Sequence, residues 1–279
     1  SISGNPYFIS KREKREGHNS TVLIMDKNPY NHPHDISIYH KIFFLRIIKR
    51  VFTFFKIRKA FEVFHFNAGS TLLHQRNVGL NYPDLPYYKG KRIMTFNGSD
   101  ARGLAFEQYN DKISKYLDDV TYGNKKNQYS SIEIKKRNKL LLKYLDHIFY
   151  VNPDLGRYLP KNSSFIPYAI IDKIHSEKKY NKDDKFRIMH APTNRDIKGT
   201  KFIIQAVKKM EKKFPEIEFE LIENITHEKA LKKIACADLF IDQLLIGWYG
   251  AVTAEAMLMG VSVAVFIREE DLDFIPQEM

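Results

Sequence analysis

The run from Asp238 to Phe266, DLFIDQLLIGWYGAVTAEAMLMGVSVAVF, constrains the fold more than any other part of the chain. Leu239 to Asp242 is a short apolar segment of strand type, broken by Gly247-Trp248-Tyr249-Gly250. Ala251 to Met259 is rich in strong helix formers and stops at Gly260, the residue type that best closes a helix. Val261 to Phe266 has the β-branched and aromatic content of a buried parallel strand. The order is strand, glycine loop, helix, turn, strand. A glycine loop feeding a helix start presents backbone N–H groups and a positive dipole end to an anion. Glu255 lies one turn inside that helix, where its side chain can face the same crevice.

The same alternation extends in both directions. Ser1 to Tyr7 reads as a loop, Phe8 to Glu16 as a helix closed by Gly17, and Thr21 to Met25 as a short strand. That order predicts a βαβ unit whose first strand lies ahead of the given sequence. Strands are expected at Glu62 to Phe66, Lys91 to Phe96 and His147 to Val151, with a helix at Ile132 to Leu145. Leu159 to Tyr168 contains Pro160, Asn162, Ser163, Ser164 and Pro167, the composition of a linker. A second series follows: strand Phe186 to His190, helix Thr200 to Lys213, strand Glu218 to Ile222, and helix His227 to Ala235 capped by Thr226. The fold class is therefore α/β, with mostly parallel sheets on both sides of the linker. With 279 residues, two domains are expected, 1–166 and 167–279, the second lacking a closing strand and helix.

Ligands in such sheets bind outside the carboxyl ends of strands. The segment after Phe186 to His190 reads APTNRDIKGT, Ala191 to Thr200, and delivers Arg195 and Lys198 to such an end. With Gly247, Gly250 and the helix start at Ala251 this makes two cations and one dipole, a combination suited to a diphosphate. Asp271-Leu272-Asp273 lies in an acidic tail and reads as solvated loop, and His190, at a strand end, as a packed histidine. His32 and His34 lack a third ligand nearby, so no metal site is expected.

The second half resembles the donor-binding domain of glycosyltransferases of the GT-B fold, especially retaining family 4. The residues that carry the likeness are Arg195 to Gly199 (RDIKG), Ala237-Asp238, and Gly247 to Gly260 (GWYGAVTAEAMLMG). The first half is similar at Gly4 to Tyr7 (GNPY), Val63 to Phe66, Thr95 to Asp100 (TFNGSD) and Val151 to Leu155. The resemblance implies two Rossmann-like domains facing across a cleft, with Gly4 in a glycine loop of the first. It implies that Arg195 and Lys198 neutralise the diphosphate of a nucleotide-sugar. The backbone of Gly250, Ala251 and Val252 would bind phosphate oxygens, Glu255 the ribose hydroxyls, and Glu223 to Thr226 would lie where the base is read. Asn97 and Asp100 are the candidate catalytic groups of the first domain. The nucleotide-sugar is a substrate, with no cofactor and no metal. The sequence departs from the family pattern twice. Gly247 stands where a first, sugar-contacting glutamate precedes Glu255, and Asn97 stands where many members carry histidine.

The net charge of +12 suggests an anionic partner. Ile38 to Phe61 combines apolar residues in every turn with Lys41, Arg46, Lys49, Arg50, Lys56, Arg58 and Lys59, which predicts one or two helices that meet an anionic membrane surface. No nucleic-acid reading motif is present, so no nucleic-acid partner is expected. One cysteine and no long apolar run fit a cytoplasmic protein, peripheral on the inner face of a membrane. The expected activity is retaining transfer of a sugar to a lipid-linked or polysaccharide acceptor. The alternative, motivated by Gly247 and Asn97, is a non-catalytic GT-B relative that binds nucleotide or scaffolds.

Overall fold

The computed structural model describes residues 4–27, 32–75, 79–98, 100–102, 130–170 and 183–278. Residues 1–3 of the expected opening loop and Ser99 of the segment Asn97 to Asp100 lie outside them. The chain divides into two compact units. The first holds the described residues up to 102, 130–167 and the terminal stretch 273–278; the second holds 168–170 and 183–272.

In the first unit, helix α1 (Asn5–Arg15) begins inside the stretch expected to be loop. Gly4 is its N-cap and Pro6 lies in its first turn, where a missing N–H costs no helical bond. Strands β1 (Leu23–Ile24) and β2 (Ile36–Ser37) pair in parallel as a small separate sheet. Helix α2 (Phe43–Ile57) follows. The main sheet has the order β3 (Val63–Asn67), β4 (Lys91–Phe96), β5 (His147–Tyr150), β6 (Ser164–Phe165), every neighbour parallel. Strand β6 falls inside the stretch predicted as linker. Its Ser164 and Phe165 pair with Phe149 and Tyr150, and Phe165 is buried, so an apolar residue flanked by turn formers still claims the sheet edge. Helix α3 (Ser131–Tyr144) opens with a capping box, in which Ser130 and Glu133 exchange side-chain-to-backbone bonds. Phe54, Phe64, Leu72 and Tyr88 form one core cluster, and Met94, Phe96, Leu141 and Leu155 are fully buried.

The second unit is one parallel sheet of order β10-β9-β7-β8. Its strands are β7 (Phe186–His190), β8 (Ile217–Leu221), β9 (Leu239–Ile241) and β10 (Ser262–Ala264). The connecting helices are α4 (Arg195–Lys198), α5 (Thr200–Glu211), α6 (His227–Ile234) and α7 (Ala251–Leu258). Thr226 caps α6 as its position predicts, accepting from Lys229 N. Gly260 closes α7 in a left-handed conformation at φ 83°, and the Val261 and Gly260 N–H groups bond Ala256 O at 3.0 Å and Met257 O at 2.9 Å. These two hydrogen bonds to orphan carbonyls make the Schellman closure. Met189, Ile234, Phe240, Ala256 and Val261 make the core on which α6 and α7 rest.

The strand order has a consequence for function. The chain leaves β7 to build β8 on one side, then returns to build β9 on the other. The two crossovers therefore part at the carboxyl ends of β7 and β9, which opens a crevice there. Between α4 and α5 the chain turns at Gly199, with φ at 75° and a Cβ site only 3.2 Å from Leu245 Cγ. Gly199→Ala is expected to cost about 1–2 kcal/mol through the left-handed backbone, read as a fall in urea midpoint with an unchanged slope.

Candidate functional site

The switch point between β7 and β9 gathers the groups that the sequence predicts for a diphosphate. Asn194 caps α4 with its side chain, accepting from Asp196 N at 3.0 Å and Ile197 N at 3.1 Å. This places Lys198, at the end of that turn, against the loop after β9, where Leu244 N bonds Lys198 O at 3.2 Å. Lys198 is 8% exposed. Its Nζ donates to Asp242 Oδ1 at 2.5 Å.

Asp242 is the residue that the sequence reading passed over. It ends an apolar strand and is 1% exposed. Besides Lys198, its carboxylate accepts from Gly250 N at 2.7 Å and Thr253 Oγ1 at 2.5 Å. Burial pushes this carboxyl's pKa up, but the Lys198 charge and these hydrogen bonds outweigh burial and hold it below its ordinary value. The carboxylate thus sits where an anion at the start of α7 would sit: on a helix N-terminus, beside a cation and a hydroxyl. Gly250 makes room for it. A Cβ there would lie 3.1 Å from both Asp242 Oδ2 and Lys198 Nζ. Ala251 and Val252 form the first turn of α7, where N–H groups have no carbonyl within the helix.

The other predicted ligands are also paired within the protein. Arg195 forms a fork with Glu223 at the ends of β7 and β8, its Nε bonding Oε1 at 2.8 Å and its NH2 group reaching Oε2. The hydrogen bond from Arg195 lowers the Glu223 pKa. Glu223, the first residue of the segment expected to read the base, is the partner of Arg195. Glu255 is 2% exposed and bonds His227 Nε2 at 2.9 Å. Arg195 and Lys198 each face a carboxylate, whereas the two cations alone suggest unopposed charge.

His190 is fully buried. Its Nδ1 donates to Ile241 O at 2.7 Å, which leaves Nε2 to accept from Thr200 Oγ1 at 2.8 Å. Burial lowers its pKa and favours this neutral form. It braces β7 against β9 beneath the crevice.

Gly247 has a steric explanation. Its carbonyl accepts from Arg268 N at 3.0 Å, and a Cβ at Gly247 would collide with Arg268 Cβ. No side chain fits there, glutamate included. Asp271 corrects the expectation of a solvated acidic tail: it is 2% exposed and lies 4.0 Å from Arg268 Nε.

In the first unit the carboxyl ends of three adjacent strands carry asparagine. Asn97 Nδ2 donates to Asn67 Oδ1 at 2.8 Å, and Asn152 Nδ2 donates to Asn97 O at 2.5 Å. Asp100 holds the turn after β4. Its carboxylate accepts from Asn97 N at 2.9 Å and from Gly98 N at 2.5 Å, while burial raises its pKa against these bonds. Beneath it Arg102 and Asp154 form a buried pair at 2.5 Å. Gly4 does not sit in an extended glycine loop: a Cβ there would meet the rings of Phe8 and His32, so glycine allows close packing at the start of α1. Among the described residues no three His, Cys, Asp or Glu side chains group as a metal site.

No family model and no curated protein matches the chain. Solved structures do. HepE from Anabaena, in complex with UDP-glucose, is 11% identical over 94% of this chain and 77% of that one, with a TM-score of 0.56. A putative UDP-N-acetylglucosamine 2-epimerase from Listeria monocytogenes is 14% identical over 98% and 77%, with a TM-score of 0.50. TarM is 13% identical over 83% of this chain and 47% of that one, also at 0.50. At such identities the likeness is one of fold. The predicted α/β class with parallel sheets and the resemblance to GT-B proteins hold at that level.

Asp242→Asn keeps the shape but leaves Lys198 buried without a counter-charge. It should lower stability by about 3 kcal/mol at neutral pH, the scale for breaking a buried pair. Because the folded carboxyl is held below its ordinary pKa, the wild-type advantage is complete above the usual carboxylate range and is lost as pH falls through the folded value. Urea unfolding across pH should show the gap between the two proteins constant from neutral pH downwards and closing only in acid.

Proposed function

We propose that the protein is a glycosyltransferase that moves a sugar, with retention at the anomeric carbon, from a nucleotide-sugar to a lipid-linked or glycan acceptor. The observation that carries this reading is the meeting of Lys198, Gly250 and the start of α7 at the switch point of the second sheet. The fold shared with HepE, whose structure holds UDP-glucose, supports it.

In this reading the donor's diphosphate takes over the position of the Asp242 carboxylate. Lys198 and the N–H groups of Gly250, Ala251 and Val252 then face phosphate oxygens, and Arg195 exchanges Glu223 for the same charge. The leaving group is a nucleoside diphosphate, so stabilising its negative charge as the glycosidic bond breaks is the main catalytic contribution. A lysine, an arginine and a helix dipole supply that stabilisation without a metal. Glu255, oriented by His227, accepts from the ribose hydroxyls. Asn97 and Asp100 belong to the acceptor-side unit, Asn97 as a polar contact and Asp100 as the carboxylate that shapes its turn. The reaction takes place at the inner, cytoplasmic face of a membrane, where a lipid-linked acceptor is presented.

A second reading is favoured by Gly247, where close approach of Arg268 excludes a sugar-contacting carboxylate. It is a GT-B relative that binds nucleotide and scaffolds without transfer.

A panel of UDP- and GDP-sugars separates the two, scored for transfer, hydrolysis and epimerisation alongside calorimetric titration of the free nucleotides. Transfer by the wild type, with nucleotide affinity about 10–100-fold weaker in Lys198→Ala, is expected from the loss of one charged hydrogen bond. Glu255→Ala should weaken nucleosides and nucleotides alike, by about tenfold. Nucleotide binding without turnover of any donor selects the scaffold reading. Unchanged affinity in both variants refutes the site.

A further inference from the structure

Helix α2 presents two apolar faces, and among the described residues only one of them packs into a core. Ile47, Arg50, Phe54 and Ile57 follow helical spacing on the inward side. Phe54 is 4% exposed within the core cluster that includes Phe64 and Tyr88. Arg50 is drawn down to Asp26 at 3.3 Å. The opposite side carries Phe44, Leu45, Ile48, Val51, Phe52 and Phe55, at spacings that make one continuous stripe. All six are exposed, with Phe44 at 68%, Phe52 at 71% and Phe55 at 63%. A stripe of this size on the outside of a protein marks a contact surface.

The charges around the stripe select its occupant. Lys49 and Lys56, about two helical turns apart, run along its edge and are exposed. The guanidinium of Arg58 lies over the Phe55 ring at 5.7 Å, and that of Arg46 over Phe43 at 5.5 Å. From Ile38 to Phe61 the chain contains no acidic residue. Among the described residues no helix is long and apolar enough to cross a membrane, and the 15 residues of α2 are too few. A short helix with a broad aromatic face, a lysine border and no acid is built to lie in the plane of an anionic interface.

We infer that α2 docks the protein on an anionic lipid surface, with Phe44, Ile48, Phe52 and Phe55 entering the headgroup boundary and Lys49 and Lys56 meeting lipid phosphates. The sequence points to contact through the basic residues. The structure adds that the apolar side faces outward, so insertion and charge act together. This inference does not depend on the transferase reading, since lipid binding needs no nucleotide.

The test is co-sedimentation of the full chain, without nucleotide, with vesicles of phosphatidylcholine alone or mixed equally with phosphatidylglycerol. The wild type should bind the mixed vesicles and not the neutral ones. Lys49→Gln/Lys56→Gln should lower that partition about 30-fold, at about 1 kcal/mol for each lysine near the surface. Phe44→Ser/Phe52→Ser/Phe55→Ser should abolish it while shifting the thermal midpoint little, because those side chains are mostly in water. If the serine variant fails to fold, the lysine variant still decides. Wild-type partition equal on both vesicle types, or unaltered by either variant, overturns the inference. So does a wild-type dimer without lipid affinity that the serine variant converts to monomer, for then a second copy covers the stripe.

Discussion

The buried ion pair between Lys198 and Asp242 is the interaction on which the second unit's architecture and its proposed chemistry both depend. It joins the loop after β7 to the loop after β9, the two elements that part at the switch point of the sheet. A buried pair is tolerable only when its remaining hydrogen-bonding capacity is met. Gly250 N–H and the Thr253 hydroxyl meet it here, and the absence of a side chain at residue 250 lets the pair lie against the backbone. The same donors, turned toward a phosphate, form an anion site. Under the proposed function, diphosphate binding at this place exchanges one anion for another, and its free energy is the difference between two well-satisfied states. In that reading the crevice is structured before a ligand arrives.

The pattern recurs around the site. Arg195 is held by Glu223 and Glu255 is held to His227, so each charged side chain expected to touch a nucleotide has an internal counterpart. In the first unit the turn after β4 is knotted by Asp100, and asparagines at the ends of β3, β4 and β5 bond one another. Strand ends in parallel sheets leave polar backbone groups pointing into a crevice, and Asp100 and Asn152 satisfy some of them here.

Much of the fold is legible in the sequence because it is written locally. The strands β4 and β7, the cap at Thr226 and the closure of α7 at Gly260 follow from residue type and period alone. The partners of the site are not local. Lys198 and Asp242 are 44 residues apart, and Arg195 and Glu223 are 28 apart, so only the sheet order brings them together. Asp242 closes an apolar run and looks like a strand terminus; its proximity to a lysine follows from β9 pairing with β7, which local period does not reveal. The glycine at 247 is visible as a departure from a pattern, while its cause, the approach of Arg268, is tertiary. For α2 the period identifies an amphipathic helix, but which apolar side meets the core depends on the packing of Phe54 against Phe64 and Tyr88.

The central claim, that the carboxyl ends of β7 and β9 form a diphosphate site held by an internal carboxylate, is tested most directly by a crystal structure of the protein grown with saturating UDP. A phosphate oxygen within hydrogen-bonding distance of Lys198 Nζ and of the first-turn N–H groups of α7, with the Asp242 carboxylate turned away from Lys198, is the predicted result. Nucleotide bound elsewhere, or an intact Lys198–Asp242 pair with no nucleotide at the start of α7, would contradict it.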